Sequence, residues 1–114
     1  MKLKFLKLVL LLALIFGCNK EETTGDLIVF VEDINGTAIT NETVYLYNNQ
    51  ADYNNAIYSK TEVTNNQGRV KFSFLDPGVY YVDCDFNNAA GGVTTVSGDG
   101  SVSAGFETTI TIGP

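Results

Sequence analysis

Apolar and polar residues alternate along most of the chain after residue 26, and this two-residue period predicts β-strands rather than helices. The clearest alternation lies in residues 65 to 86. It predicts one strand with Val70, Phe72 and Phe74 on its apolar face, and a second with Tyr80, Val82, Cys84 and Phe86. Beyond the first 17 residues no segment shows the 3.6-residue period of an amphipathic helix.

The two strands are joined by Asp76, Pro77 and Gly78, a sequence typical of a tight turn. Proline presets φ for the first central position of a type II turn, and glycine tolerates the positive φ of the second. We therefore predict a structural turn at Pro77 and Gly78. A second short loop, at residues 65 to 68, places Gly68 where a left-handed residue is expected.

The remaining segments supply further strands around this stretch. We predict them at residues 27–32, 43–47, 58–64, 92–96, 101–104 and 106–112, with a polar loop at 48–55 and a turn at Gly98, Asp99 and Gly100. Short strands at this spacing predict an all-β fold, a sandwich of seven or eight strands. Residues 26–114 have the length of one domain.

The turn regions carry a resemblance to a known family. Residues 68–72 and 75–80 resemble the "G-R-aromatic-x-F … L-x-P-G-x-Y" core of prealbumin-like domains, which include carboxypeptidase regulatory-like domains and Cna B-type repeats. Residues 33–39 and 43–46 resemble the family's opening, with Ala38 where proline is common. The resemblance implies an antiparallel sandwich with Greek-key connections. It does not imply the family's isopeptide bond, because the first strand has no lysine and the last has no asparagine.

The N-terminus is predicted to be a targeting signal. Three lysines precede an apolar run that is too short to span a bilayer, and the run ends in Ile15, Phe16, Gly17 and Cys18. This ending resembles the bacterial lipoprotein cleavage box, which implies a signal peptide at 1–17 and lipid attachment at Cys18. The alternative is an ordinary secretory signal that happens to precede a cysteine.

A short polar tether, residues 18–25, follows the signal. Lys20, Glu21 and Glu22 resemble the export signal behind the lipidated cysteine of many Bacteroidetes lipoproteins, which implies display on the outer face of the outer membrane. The alternative is a solvated linker. From Cys18 to Asp26 the chain spans at most about 26 Å, so the domain is expected to lie close to the membrane.

The mature domain is acidic. Residues 1–18 hold three of the seven Lys and Arg residues and none of the thirteen Asp and Glu residues, which leaves a net charge of −9 after cleavage. This charge argues against nucleic acid as a partner and against electrostatic docking on anionic membranes. The expected partners are the membrane, through the lipid anchor, and an envelope protein or glycan.

Residues for catalysis are scarce, and we predict no enzyme, no catalytic residue and no cofactor. The chain has no histidine, and Cys84 alternates with apolar residues, which is typical of a core position. Two acidic groupings, Asp83 with Asp85 and Asp33 with Asn35, are too small for a calcium loop and are expected to be solvated, so no metal site is predicted.

A binding surface is what remains. Tyr45 and Tyr47 should point outward from the second strand because Val44 and Leu46 point inward, and Tyr53 and Asn54 follow in the next loop. Tyrosine and asparagine are adaptable contact residues, although both are also common in strands and loops for structural reasons. The sequence thus predicts a display or interaction module with a structural or adhesive role. The alternative is a carbohydrate-binding accessory domain.

Overall fold

The computed structural model describes residues 22–114, so the predicted signal peptide, Cys18, Lys20 and Glu21 lie outside the described residues. The described part forms seven strands and one short helix. They are β1 (Gly25–Val31), β2 (Thr43–Tyr47), α1 (Gln50–Asn54), β3 (Lys60–Val63), β4 (Arg69–Leu75), β5 (Gly78–Asn87), β6 (Val93–Val102) and β7 (Glu107–Ile112).

The strands form two sheets that pack face to face. One sheet has the order β4-β1-β7 and the other β3-β2-β5-β6. All neighbouring strands are antiparallel except β1 and β7, which are parallel. The predicted all-β sandwich is confirmed with seven strands, and the parallel pair places both termini of the domain in the three-stranded sheet.

The core lies between the sheets and follows the alternation in the sequence. Leu27, Val29 and Val31 of β1 are fully buried, and β5 contributes Val82 and Cys84 from the facing sheet. Phe72, predicted as a core residue, is buried. No buried polar side-chain atom in residues 22–114 lacks a hydrogen bond.

Phe74 departs from the predicted alternation. It was expected on the same face as Phe72, but it is 80% exposed. The register between β1 and β4 shifts between Gly25 and Leu27, so two residues of β4 lie opposite Asp26. This β-bulge places Phe74 at a φ of +59° and turns the following Leu75 back into the core.

The predicted turn at Gly98, Asp99 and Gly100 is wrong, because β6 runs through all three residues without a break. Both glycines lie on the inward face of the strand, where the opposite sheet approaches closely. A methyl carbon at Gly98 would lie 2.7 Å from Ile112, and one at Gly100 would lie 2.8 Å from Leu27. Glycine in a strand here marks close packing rather than a turn.

The segment at Pro77 and Gly78 bends the chain but does not form a type II turn. It connects β4 in one sheet to β5 in the other, and Gly78, at a φ of +157°, is already paired with Val102. The Tyr80 hydroxyl donates to the backbone carbonyl of Asp76 at 2.7 Å, and this hydrogen bond stabilises the bend.

The strand directions define two ends of the sandwich. The entry end, where the described chain begins, includes residues 22–26, 73–78 and 102–107, and the connection from β2 to β3 begins on this side. The far end comprises residues 32–42, 64–68 and 87–92. The seven residues of β1 span about 20 Å between them. No helix in residues 22–114 is long and apolar enough to cross a membrane.

Candidate functional site: a tyrosine-lined depression

The predicted tyrosine surface lies on the outer face of the four-stranded sheet. The alternation in β2 buries Val44 and Leu46 and turns Tyr45 and Tyr47 to this face. The pairing of β2 with β5 sets Tyr45 opposite Asp83 and Tyr47 opposite Tyr81. Tyrosines from two strands and acidic residues of β5 therefore share one surface.

A short helix completes the cluster where a polar loop was predicted. Asn49 caps α1, and its side-chain oxygen accepts a hydrogen bond from the backbone N–H of Asp52 at 2.8 Å. The cap fixes the helix beside β2 and sets Tyr53 over the sheet. The Tyr53 ring lies 5.1 Å from that of Tyr47, edge to face, and 5.9 Å from that of Tyr81, stacked.

A second aromatic pair forms the rim of the same surface. The rings of Tyr45 and Tyr58 lie 5.0 Å apart at an interplanar angle of 64°. Tyr45 is half-buried, and Tyr58 is 54% exposed. These two rings are therefore open to a ligand, whereas Tyr47 is only 5% exposed because Tyr53 and Tyr81 cover it.

The floor of the surface is polar. The Tyr47 hydroxyl donates to the Asp83 carboxylate, 3.1 Å from Oδ1 and 3.3 Å from Oδ2. Burial, with Asp83 beside it, raises the pKa of Tyr47 to about 12. Burial also raises the pKa of Asp83, against the lowering effect of the Tyr47 hydrogen bond, and the charge of Asp85 adds to the rise.

Together these residues enclose a shallow depression of about 340 Å³. It is lined by Tyr45, Tyr47, Ala56, Tyr58, Asp83 and Asp85. Aromatic faces offer apolar contact, and carboxylate oxygens accept hydrogen bonds from hydroxyl or amide donors. The Thr95 hydroxyl donates to Asp85 and orients that carboxylate. This arrangement suits a ligand that has both flat apolar faces and hydroxyl or amide donors.

The structure brings together three of the four predicted surface residues. Tyr45 and Tyr47 line the depression, and the Tyr53 ring packs against the Tyr47 ring. Asn54 is exposed at the end of α1 and does not line the depression. The predicted surface did not include Tyr81 or the acidic floor, although the alternation in β5 already turned them to the outer side.

Asp33 and Cys84, which the sequence analysis also considered, have structural roles. Asp33 Oδ1 accepts the backbone N–H groups of Asn35 and Thr37 and closes a turn at the far end. Cys84 is buried, and burial, with the carboxylate of Glu42 next in effect, raises its pKa to about 11. Within residues 22–114, no group of three or more His, Cys, Asp or Glu side chains could hold a metal ion.

Comparison with known proteins supports the fold. No protein-family model matches the chain, and no curated protein is significantly similar to it. Among solved structures, the major pilin subunit of Bacillus cereus superposes with a TM-score of 0.57 at 20% identity, over 80% of this chain and 29% of the pilin. The chain thus spans less than a third of that pilin's length.

Two further structures have the same architecture. A candidate carbohydrate-binding protein from Pseudomonas aeruginosa gives a TM-score of 0.54 at 16% identity, over 87% of this chain and 94% of its own. A variant of the same pilin gives 0.50 at 20% identity, over 79% and 30%. At these identities the similarity shows a shared β-sandwich, which is consistent with a prealbumin-like fold.

Proposed function

We propose that this chain is a lipid-anchored display and interaction module of the cell envelope, with a structural or adhesive role, and that it binds through the tyrosine-lined depression. The observation that carries the proposal is the convergence of the open rings of Tyr45 and Tyr58 beside Asp83 on one sheet face. Exposed tyrosine rings give large contact area at little cost in rotamer entropy, which is why they are common at binding surfaces.

The anchor is proposed from the sequence around Cys18. A thioether-linked lipid with a further acyl chain on the new N-terminus would hold the domain stably, since single chains bind only marginally. Mass spectrometry of the mature N-terminus should find a lipidated Cys18. An unmodified cysteine or an uncut chain would contradict the anchor.

Surface display is proposed from Lys20, Glu21 and Glu22. Protease added to whole cells should cleave the wild-type domain, and replacing these three residues by alanine should protect it while the protein stays in the envelope. A wild-type domain that resists protease on cells but is cleaved in lysate would contradict surface display.

A second function, binding of a neutral glycan, is favoured by the carboxylates in the depression. Asp83 and Asp85 lie beside the open tyrosine rings, so a sugar could place an apolar ring face on a tyrosine and donate its hydroxyls to a carboxylate. One structural neighbour is described as a candidate carbohydrate-binding protein, and another as a pilin subunit. The first description supports the glycan proposal, and the second supports the structural or adhesive proposal.

An array of neutral and uronic acid-containing oligosaccharides tests the glycan reading, and capture of solubilised envelope proteins tests the alternative. The acidic floor and the net charge should favour neutral sugars over acidic ones. Binding of acidic sugars alone would contradict the proposal that the depression binds a neutral glycan. We expect no turnover of any bound ligand, and hydrolysis of a sugar on the array would contradict the non-catalytic proposal.

A further inference from the structure

Two phenylalanines are exposed at the entry end of the sandwich. Phe74 is 80% exposed and Phe106 is 69% exposed, whereas Phe72 and Phe86 are buried in the core. Both exposed rings border one depression of about 230 Å³, together with the first described residues of the chain. Exposed aromatic residues grouped at one site commonly mark a contact surface.

Both phenylalanines are tied to the segment by which the chain enters the domain. The Phe74 backbone N–H donates to Asp26 Oδ1 at 3.2 Å, and the Asp26 N–H donates to the Phe106 carbonyl at 3.0 Å. The Gly105 N–H donates to the Thr24 carbonyl at 2.9 Å. These hydrogen bonds, two between backbone groups and one to the Asp26 side chain, hold the backbone at Phe74 and Phe106 beside residues 24–26.

Phe74 is also held in a backbone conformation that favours glycine. At a φ of +59° a bulky side chain is uncommon. The bulge directs a large apolar side chain into solvent. Strained residues with exposed side chains are more common at functional sites than elsewhere.

The distance of the two phenylalanines from the predicted lipid attachment at Cys18 indicates what they contact. Glu22, at the rim of the depression, is four residues after Cys18, a separation of at most about 14 Å. If Cys18 carries the proposed lipid, the entry end must face the bilayer at close range. Lys71 pairs with Asp26 at 3.4 Å and with Glu107 at 3.0 Å, so its single positive charge offsets part of the negative charge of these two carboxylates.

We propose that Phe74 and Phe106 insert into the membrane interface and fix the orientation of the domain on the bilayer. This inference rests on the proposed anchor at Cys18. The occupant is the lipid interface itself, because apolar aromatic side chains lower their free energy at the boundary of headgroups and acyl chains. The contact is apolar, so it should persist at high salt. Insertion would leave the tyrosine-lined depression on the side wall of the domain, free for its own ligand.

The absence of tryptophan from the chain allows a direct test. The full-length protein, processed in cells and reconstituted into zwitterionic vesicles with brominated acyl chains, would carry one tryptophan in each of Phe74→Trp, Phe106→Trp and Ile34→Trp. Ile34 is 82% exposed at the far end and is the matched control. Co-flotation with vesicles reports the anchor, and quenching of tryptophan emission reports the depth of each residue.

We expect all three variants to float, with several-fold stronger quenching at positions 74 and 106 than at position 34, at low and high salt. Adding Phe74→Ala to Phe106→Trp should reduce the quenching without changing the melting temperature. Flotation with equal, weak quenching at all three positions would overturn the membrane contact and leave the anchor intact. Failure to float would overturn the anchor and the membrane contact together.

Discussion

The hydroxyl of Tyr47 on β2 donates to the carboxylate of Asp83 on β5, at 3.1 and 3.3 Å from its two oxygens. This bond joins two central strands of the four-stranded sheet across its outer face, under the rings of Tyr53 and Tyr81. Tyr47 was predicted as a contact residue. In the structure Tyr47 is instead buried beneath Tyr53 and Tyr81, so its role is to stabilise this surface.

Tyr47→Phe should destabilise the domain by about 1–2 kcal/mol, because it leaves a half-buried carboxylate without its hydroxyl donor. Tyr45→Phe is the control. It removes a hydroxyl from the same face without touching this pair, and should change stability by less than about 0.5 kcal/mol. Urea denaturation measures both. Equal effects of the two variants would show that the Tyr47 hydroxyl has no structural role.

Asp83 should make stability depend on pH. Burial raises its pKa, so the folded protein holds the proton more tightly than the unfolded chain does. The resulting stabilisation is complete below the unfolded pKa of about 3.9 and is lost as the pH rises through the higher folded pKa. Asp83→Asn cannot titrate.

The free energy of unfolding of wild type, relative to Asp83→Asn, should therefore fall as the pH rises above the unfolded pKa of about 3.9. Urea denaturation of both proteins at several pH values gives this difference directly. A difference that is constant or that rises with pH would show that the pKa of Asp83 is not raised in the folded state.

Phe72 and Phe74 form a matched pair in one strand. Phe72→Ala should cost about 3–5 kcal/mol because it empties a packed core site. Phe74→Gly should cost little or stabilise by up to about 1 kcal/mol, because it relieves a positive φ and removes no core contact. Thermal unfolding compares them. Similar losses from both substitutions would contradict the bulge.

The sequence was a good guide where side-chain period alone decides the structure. Alternation placed Val44 and Leu46 in the core and put Tyr45 on the outer face. It failed at Phe74, because a bulge is a property of two paired strands and the local pattern continues through it. It failed at Gly98 and Gly100, because glycine is typical of turns and of close sheet packing alike, and only the opposing Ile112 and Leu27 show which applies.

The candidate site was predicted in part for the same reason. Tyr45, Tyr47 and Tyr53 are close in sequence, so they could be grouped without knowing the pairing of strands. Asp83 joins them only because β5 pairs with β2 in a particular register. The capping of α1 by Asn49 turned a predicted loop into the helix that positions Tyr53.

Gly68→Ala should be among the most damaging single-methyl substitutions in the domain. Gly68 has a φ of +72°, and an added methyl carbon would lie 2.7 Å from the carbonyl oxygen of Val31. Gly91→Ala is the control, because Gly91 has a φ of +86° with nothing within 4 Å of the new carbon. Gly91→Ala should cost about 1 kcal/mol, and Gly68→Ala clearly more. Equal melting temperatures would contradict the close approach of residues 31 and 68.

The tyrosine-lined depression is tested most directly by the affinity of the ligand that glycan array or envelope-protein capture identifies. Calorimetry should compare wild type, Tyr45→Ala, Tyr58→Ala and the far-end control Val93→Ala. Each tyrosine variant should bind about fivefold or more weakly, because a contact residue of this type often contributes 1 kcal/mol or more. Melting temperatures should barely change, and the control should bind like wild type. Unchanged affinity in both tyrosine variants, or no sugar or envelope protein bound at all, would contradict the tyrosine-lined depression as the binding site.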